Sequence, residues 1–68
     1  MEYGTTAKLD RISKALAYIR RIRNAQKRAY AASYLEAWRH GHDAPVPHGL
    51  TYVGAQAVRH HLDPVLKA

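Results

Sequence analysis

The feature that most constrains the fold of this chain is a long stretch without proline or glycine. Neither residue occurs between Thr5 and His40, and the stretch is rich in Ala, Leu, Arg, Lys and Gln, which favour helix. Proline and glycine are frequent in the segment 41–50, GHDAPVPHGL, which is predicted to be a loop. No alternating apolar and polar run is long enough for a sheet. The sequence therefore predicts an all-α fold, a small bundle of two or three helices.

The long helical stretch is interpreted as two helices, about residues 6–22 and 25–40, with one long helix as the alternative. The reason is a change in the apolar pattern. In the first part, large apolar residues recur at spacings of three and four and predict one buried face: Leu9, Ile12, Leu16 and Ile19. Arg23 and Gln26 stand where that face should continue, which indicates a bend between the two parts.

Short polar residues mark the predicted helix starts. Thr5 or Thr6 can cap the first helix and Asn24 the second, because a side-chain oxygen accepts a hydrogen bond from a free backbone N–H. Thr51 can cap a third helix, predicted over about residues 51–62. Glycine is suited to the left-handed residue that closes a helix, and the second helix is followed directly by one, Gly41.

The third helix is predicted to end at Asp63-Pro64, because proline disfavours helical geometry in the residue before it. As an alternative, Asp63 can cap a final turn that has Pro64 at its first helical position. The candidate buried residues of the third helix are Val53, Ala57, Val58 and Leu62. Residues 1–68 are expected to form one small domain. The core of a domain this small rarely supplies more than about 3–5 kcal/mol, and no cysteine is present to form a disulfide. We therefore expect the chain to be a homo-oligomer or to be stabilised by a partner.

The net charge is concentrated in one part of the chain. Residues 1–28 carry eight basic and two acidic side chains, whereas residues 29–68 carry three of each. Within the basic region 8–28, the spacing of seven residues between Lys14, Arg21 and Arg28 would keep these three on one face of a continuous helix. Such a row suits phosphate backbones, because each neutralised phosphate releases condensed counterions. The residues predicted to bind nucleic acid are Arg11, Lys14, Arg20, Arg21, Arg23, Lys27 and Arg28.

Aromatic residues lie on both sides of the densest part of this basic region, residues 20–28. An aromatic ring beside cations can stack on an unpaired base, and tyrosine and tryptophan also anchor protein interfaces. The predicted stacking residues or partner anchors are Tyr18, Tyr30, Tyr34 and Trp38.

Two function classes remain open from the sequence. The first is binding of DNA or RNA through phosphate contacts. The alternative is a protein-interaction module, such as a small phage or bacterial inhibitor or adaptor, whose cationic surface docks on an acidic protein. Direct binding measurements separate the two classes. Binding to nucleic acid through phosphates should weaken linearly in log–log form with salt, and by a similar amount for several unrelated sequences. A protein-interaction module should show no binding to DNA or RNA at low salt.

Other classes are not favoured by the residues present. No nucleophile, base and orienting residue occur in a recognisable motif, so we expect neither enzymatic activity nor a cofactor. The five histidines between His40 and His61 are interpreted as surface residues, and no metal site is predicted. The charge-free run from Ala29 to Leu35 is too short to span a bilayer. A cytoplasmic location without membrane association is therefore expected.

Overall fold

Three helices form the bundle. The computed structural model describes the backbone of residues 3–67 and the side chains of residues 8–67. The helices are α1 (Tyr3–Arg21), α2 (Ala25–His40) and α3 (Tyr52–Lys67), and the described residues contain no strand. The predicted all-α class is therefore confirmed, and two helices rather than one occupy the long stretch without proline and glycine.

A short turn at residues 22–24 separates α1 from α2. Asn24 has extended backbone geometry, and its Oδ1 accepts a hydrogen bond of 2.9 Å from the Lys27 amide. The guanidinium of Arg28 donates to the carbonyl of Ile22, also at 2.9 Å, just beyond the last residue of α1. The predicted bend and the Asn24 cap are thus confirmed. The start of α1 lies beside the end of α2, where Lys8 Nζ is 5.8 Å from the centre of the Trp38 ring, so α1 and α2 pack as an antiparallel pair.

The other end of α2 is closed by Gly41. Its φ of 75° lies in the left-handed region that favours glycine, as predicted. The amides of Gly41 and His42 both donate to the carbonyl of Ala37. This contact closes the last turn of α2, where backbone carbonyls otherwise lack donors.

The loop 42–51 then returns along α2. Gly49 lies against the side chain of Gln26, near the start of α2. A helix of 16 residues is about 24 Å long, so this loop has to be extended, and Pro45 and Pro47 favour extended geometry. As a result α3 starts at the same end of the bundle as α2 and runs parallel to it.

The start of α3 matches its prediction, but its end does not. Thr51 Oγ1 accepts a hydrogen bond of 3.0 Å from the Gly54 amide, so the predicted cap is confirmed. The expected end at Asp63-Pro64 is wrong, because α3 continues through Pro64. Proline removes one backbone donor, whereas the added turn places Leu66 in the core with 2% of its surface exposed.

The start of α1 also differs from its prediction. This helix begins at Tyr3, so Thr5 and Thr6 lie within it and the prediction that one of them caps its start is wrong. The side chains of these two threonines lie outside the described residues.

The core lies where the three helices meet. It is made mostly of small and aliphatic side chains with one tyrosine: Ala15, Ile19, Tyr30, Ala31, Leu35, Ala55, Val58, Leu62 and Leu66. Leu62 is fully buried, and truncating such a side chain typically costs about 2–5 kcal/mol.

Three residues predicted to be buried are exposed. Leu9 is 62% exposed, Leu16 37% and Val53 75%, while Ala57 is half-buried. In α1 the reason is that the helix is rotated about its axis relative to the predicted orientation, so that Ala15 rather than Leu16 faces the neighbouring helices. A fully buried alanine lets neighbouring helices approach closely.

The Asn24 cap is expected to contribute measurably to stability. Replacing Asn24 with alanine removes the acceptor of the Lys27 amide, and we expect the free energy of unfolding to fall by about 1 kcal/mol. Urea denaturation followed by circular dichroism measures this change. Ser33→Ala, at an exposed position inside α2, is the matched control and should change stability by less than about 0.5 kcal/mol. Equal stability of both variants would contradict a capping role for Asn24.

Candidate nucleic-acid interface

Five cationic side chains gather at one end of the bundle. Two lie in the last turn of α1, one in the turn that follows, and two near the start of α2. Because α1 and α2 are antiparallel, all five lie at the same end. We call this group the basic end: Arg20, Arg21, Arg23, Lys27 and Arg28.

Helix dipoles reinforce the positive charge at the basic end. Arg20 and Arg21 lie at the carboxyl end of α1, where its partial negative charge favours cations. Both α2 and α3 start at this end of the bundle, and neither has an acidic residue in its first turn. Two positive helix ends and the negative end of α1 therefore meet here, and their sum adds about one positive helix end to the side-chain charge.

The acidic side chains of the described residues lie in the other half of the bundle. Asp10 is in the first half of α1, Glu36 and Asp43 are near the end of α2, and Asp63 is in the second half of α3. Ion pairs there join Lys14 to Asp10 at 3.3 Å and Glu36 to Arg39 at 3.1 Å. Within residues 8–67, no cation of the basic end pairs with a carboxylate. The charge asymmetry of the sequence thus becomes a polarity along the bundle.

The five cations differ in how free they are. Arg20, Arg21 and Arg23 are exposed. Lys27 is half-buried, with its side chain packed beside Gly54. Arg28 is exposed but its guanidinium is held by the carbonyl of Ile22. The first three are therefore the cations most available to a ligand.

The structure divides the predicted row of basic residues. Lys14, Arg21 and Arg28 do not share one helix face, because the turn at residues 22–24 places Arg28 on α2. Lys14 pairs with an aspartate, and Arg11 is half-buried further toward the start of α1. These two of the seven predicted residues lie apart from the basic end.

The four predicted aromatic anchors instead join the helices. Tyr18 of α1 stacks on His61 of α3, with ring centroids 5.2 Å apart. Tyr34 of α2 donates a hydrogen bond of 2.6 Å to Asp63 of α3. Trp38 is half-buried and packs against the core.

Tyr30 does not fit the predicted stacking role. Only 2% of its surface is exposed, so its ring has no face free for a base. Burial follows from its position on the side of α2 that also carries Ala31 and Leu35.

One exposed tyrosine escaped the sequence prediction. Tyr52, the first residue of α3, is 69% exposed. At 100° per residue it falls at the edge of the arc that Val58, Leu62 and Leu66 define. This position at the edge of the buried face was the only sign in the sequence that Tyr52 could be exposed. The pattern alone does not show whether a ring at such an edge packs against a neighbouring helix or stays in solvent.

Histidine and carboxylate side chains do not converge on a metal-binding arrangement in the described part of the chain. His40 contacts Glu36 at 3.1 Å, and its ring lies 6.1 Å from that of His42. Within residues 8–67, no group of three or more such side chains is placed to hold a metal ion. The helices within the described residues are also too short or too polar to cross a bilayer.

Comparison of the chain with protein-family models, with curated proteins and with solved structures found no match.

The contact between Tyr34 and Asp63 is expected to make stability depend on alkaline pH. Burial first, and then the hydrogen bond to Asp63, raise the pKa of Tyr34 from 10.0 to about 12. The folded chain therefore holds this proton more tightly than the unfolded chain. The resulting stabilisation is fully present below pH 10 and is lost as the pH rises toward about 12.

Tyr34→Phe tests this linkage. The variant lacks the ionising hydroxyl, so its free energy of unfolding should decline less steeply above pH 10 than that of the wild type. Urea denaturation at a series of pH values measures the two slopes. Ser33→Ala removes a hydroxyl that does not ionise in this range from an exposed position of α2, so it is the control and should keep the wild-type slope. Equal slopes for Tyr34→Phe and the wild type would contradict the linkage.

Proposed function

We propose that this protein binds nucleic acid, and that the basic end contacts the phosphates. The observation that carries the proposal is the gathering of five cations at one end of the bundle, with no ion pair to a carboxylate among the described residues. A solvated helix face usually has acidic and basic residues interspersed. Here the described acidic residues lie in the other half of the molecule.

The physical basis is electrostatic. A phosphate backbone releases condensed counterions when cations neutralise it, and this release favours binding at low salt. Arginine adds bidentate hydrogen bonds to phosphate oxygens, and four of the five cations are arginines. Contacts of this kind fix position and orientation without reading sequence. We therefore propose that affinity varies little among unrelated sequences of equal length.

Neutralising two cations of the basic end tests the proposal. In Arg20→Gln/Arg21→Gln, two exposed side chains are replaced without disturbing the turn that Asn24 and Arg28 hold together. We expect weaker binding to a DNA duplex at low salt. The slope of log K against log salt should fall by about one for each phosphate that the variant no longer neutralises. Fluorescence anisotropy at several salt concentrations measures both quantities.

Arg39→Gln/Lys67→Gln is the matched control, because it removes the same charge from the other end of the bundle. It should leave the salt slope unchanged. If both double variants reduce the slope equally, bulk charge rather than the basic end determines binding. If the wild type binds neither DNA nor RNA at low salt, the proposed function is wrong.

A second candidate function is binding to an acidic protein. The observation that favours it is the exposed apolar pair Leu9 and Leu16, which the fold leaves uncovered on α1. Leu9 lies away from the basic end, beside the basic side chains of Lys8 and Arg39. An apolar centre with a polar rim is typical of protein interfaces. A pull-down with and without nuclease separates the two functions: a partner retained after nuclease treatment supports this candidate, and one released by nuclease treatment supports nucleic-acid binding.

A further inference from the structure

Among the tyrosines of residues 8–67, Tyr52 has the most exposed ring. Tyr52 is 69% exposed, whereas Tyr18, Tyr30, Tyr34 and Trp38 are buried or half-buried. An exposed ring of this size is costly to hydrate and is common where a protein contacts another molecule. Tyr52 is thus the described tyrosine best able to offer its ring to a ligand.

Tyr52 lies at the same end of the bundle as the cations. It is the first residue of α3, and the segment around it packs against the start of α2. Gly49 lies against Gln26, and Gly54 lies beside Lys27, itself a member of the basic end. A ligand that binds the basic end therefore lies at the same end of the bundle as this ring.

The ring is also held in place. Gln56 Nε2 donates a hydrogen bond of 2.9 Å to the Tyr52 hydroxyl one helical turn away. This contact involves the hydroxyl at the tip of the side chain, so it leaves the ring faces open. An oriented ring loses less conformational entropy on binding than a freely rotating one.

Beyond the ring, an open cavity of about 740 Å³ continues along α3. Tyr52, Gln56, Arg59 and His60 are among the residues that line it. Arg59 forms no ion pair with the described acidic residues, although Asp63 stands four residues further along the same helix. That aspartate accepts the hydrogen bond of a tyrosine on α2 instead. Asp63 lines the same cavity. The cavity thus combines an aromatic face and an unpaired cation with one carboxylate, which is held by the tyrosine of α2.

We infer that Tyr52 is a stacking platform for an unpaired base and that the ligand of the basic end is single-stranded nucleic acid. The inference rests on the proposed function. In a duplex the base faces are covered by neighbouring bases, so an exposed ring beside phosphate-binding cations is useful chiefly for a single strand. The basic end holds the phosphates, Tyr52 stacks on a base, and Arg59 meets the backbone further along α3.

Three ligands of equal length separate the contribution of the ring from that of the charges. They are a fluorescent oligothymidylate of about 12 nucleotides, within the range such sites cover, an abasic oligomer with the same phosphates, and a duplex. Tyr52→Ala should weaken binding to oligothymidylate by about fivefold to a hundredfold, the usual effect of losing one stacked base. Binding to the abasic oligomer and to the duplex should stay at the wild-type level.

Two controls accompany this variant. Tyr52→Phe keeps the ring and should bind oligothymidylate within about twofold of the wild type. Leu9→Ala removes an exposed apolar side chain from the other end of the bundle and should have no effect.

The outcomes distinguish this inference from the proposed function. Suppose that Tyr52→Ala binds oligothymidylate as tightly as the wild type does, while Arg20→Gln/Arg21→Gln binds it more weakly. The inference that Tyr52 stacks on a base is then wrong, and the proposed phosphate binding is still supported. If Tyr52→Ala weakens binding to the abasic oligomer as strongly as binding to oligothymidylate, the ring does not act by stacking and the inference is also wrong. If none of the three ligands binds, the proposed function and the inference both fail.

Discussion

The packing of α2 back on α1 depends on the turn at residues 22–24, where the Asn24 side chain accepts a hydrogen bond from the Lys27 amide. Without a cap at this position, the helix-forming residues of α1 and α2 would favour one continuous helix. The break lets α2 fold back on α1, and Arg28 fixes the other side of the turn by binding the carbonyl of Ile22. The same few residues therefore create the helical hairpin and bring two groups of cations together.

The second constraint is the extended loop 42–51. It carries the chain back along α2, so that α3 starts beside the basic end and runs parallel to α2. This path places Tyr52 at the end of the bundle that carries the basic end and Asp63 in the second half of α3, where it accepts a hydrogen bond from Tyr34. The polarity of the molecule follows from topology, because the described acidic residues lie on the helix halves that point away from the basic end or just after α2.

Local signals in the sequence predicted most helix ends, and the packing of side chains was harder to predict. Asn24, Gly41 and Thr51 act as predicted, because a cap depends on a few neighbouring atoms. Leu9 and Val53 are exposed although the apolar pattern favoured burial. An apolar pattern identifies a helix face, but the neighbouring helices decide which part of that face is covered. Pro64 lies inside α3, because the free energy gained by burying Leu66 in the added turn outweighs the loss of one backbone hydrogen bond.

The amino-acid sequence was enough to predict the all-α class, the division of the long helical stretch and the concentration of positive charge in the first part of the chain. These properties depend on composition and on interactions between residues close in the chain. Packing of the three helices, in contrast, buries Tyr30, leaves Tyr52 exposed, and separates Arg11 and Lys14 from the other predicted cations. Burial and proximity of this kind could not be read from local patterns, because they arise where α1, α2 and α3 bring together residues far apart in the chain.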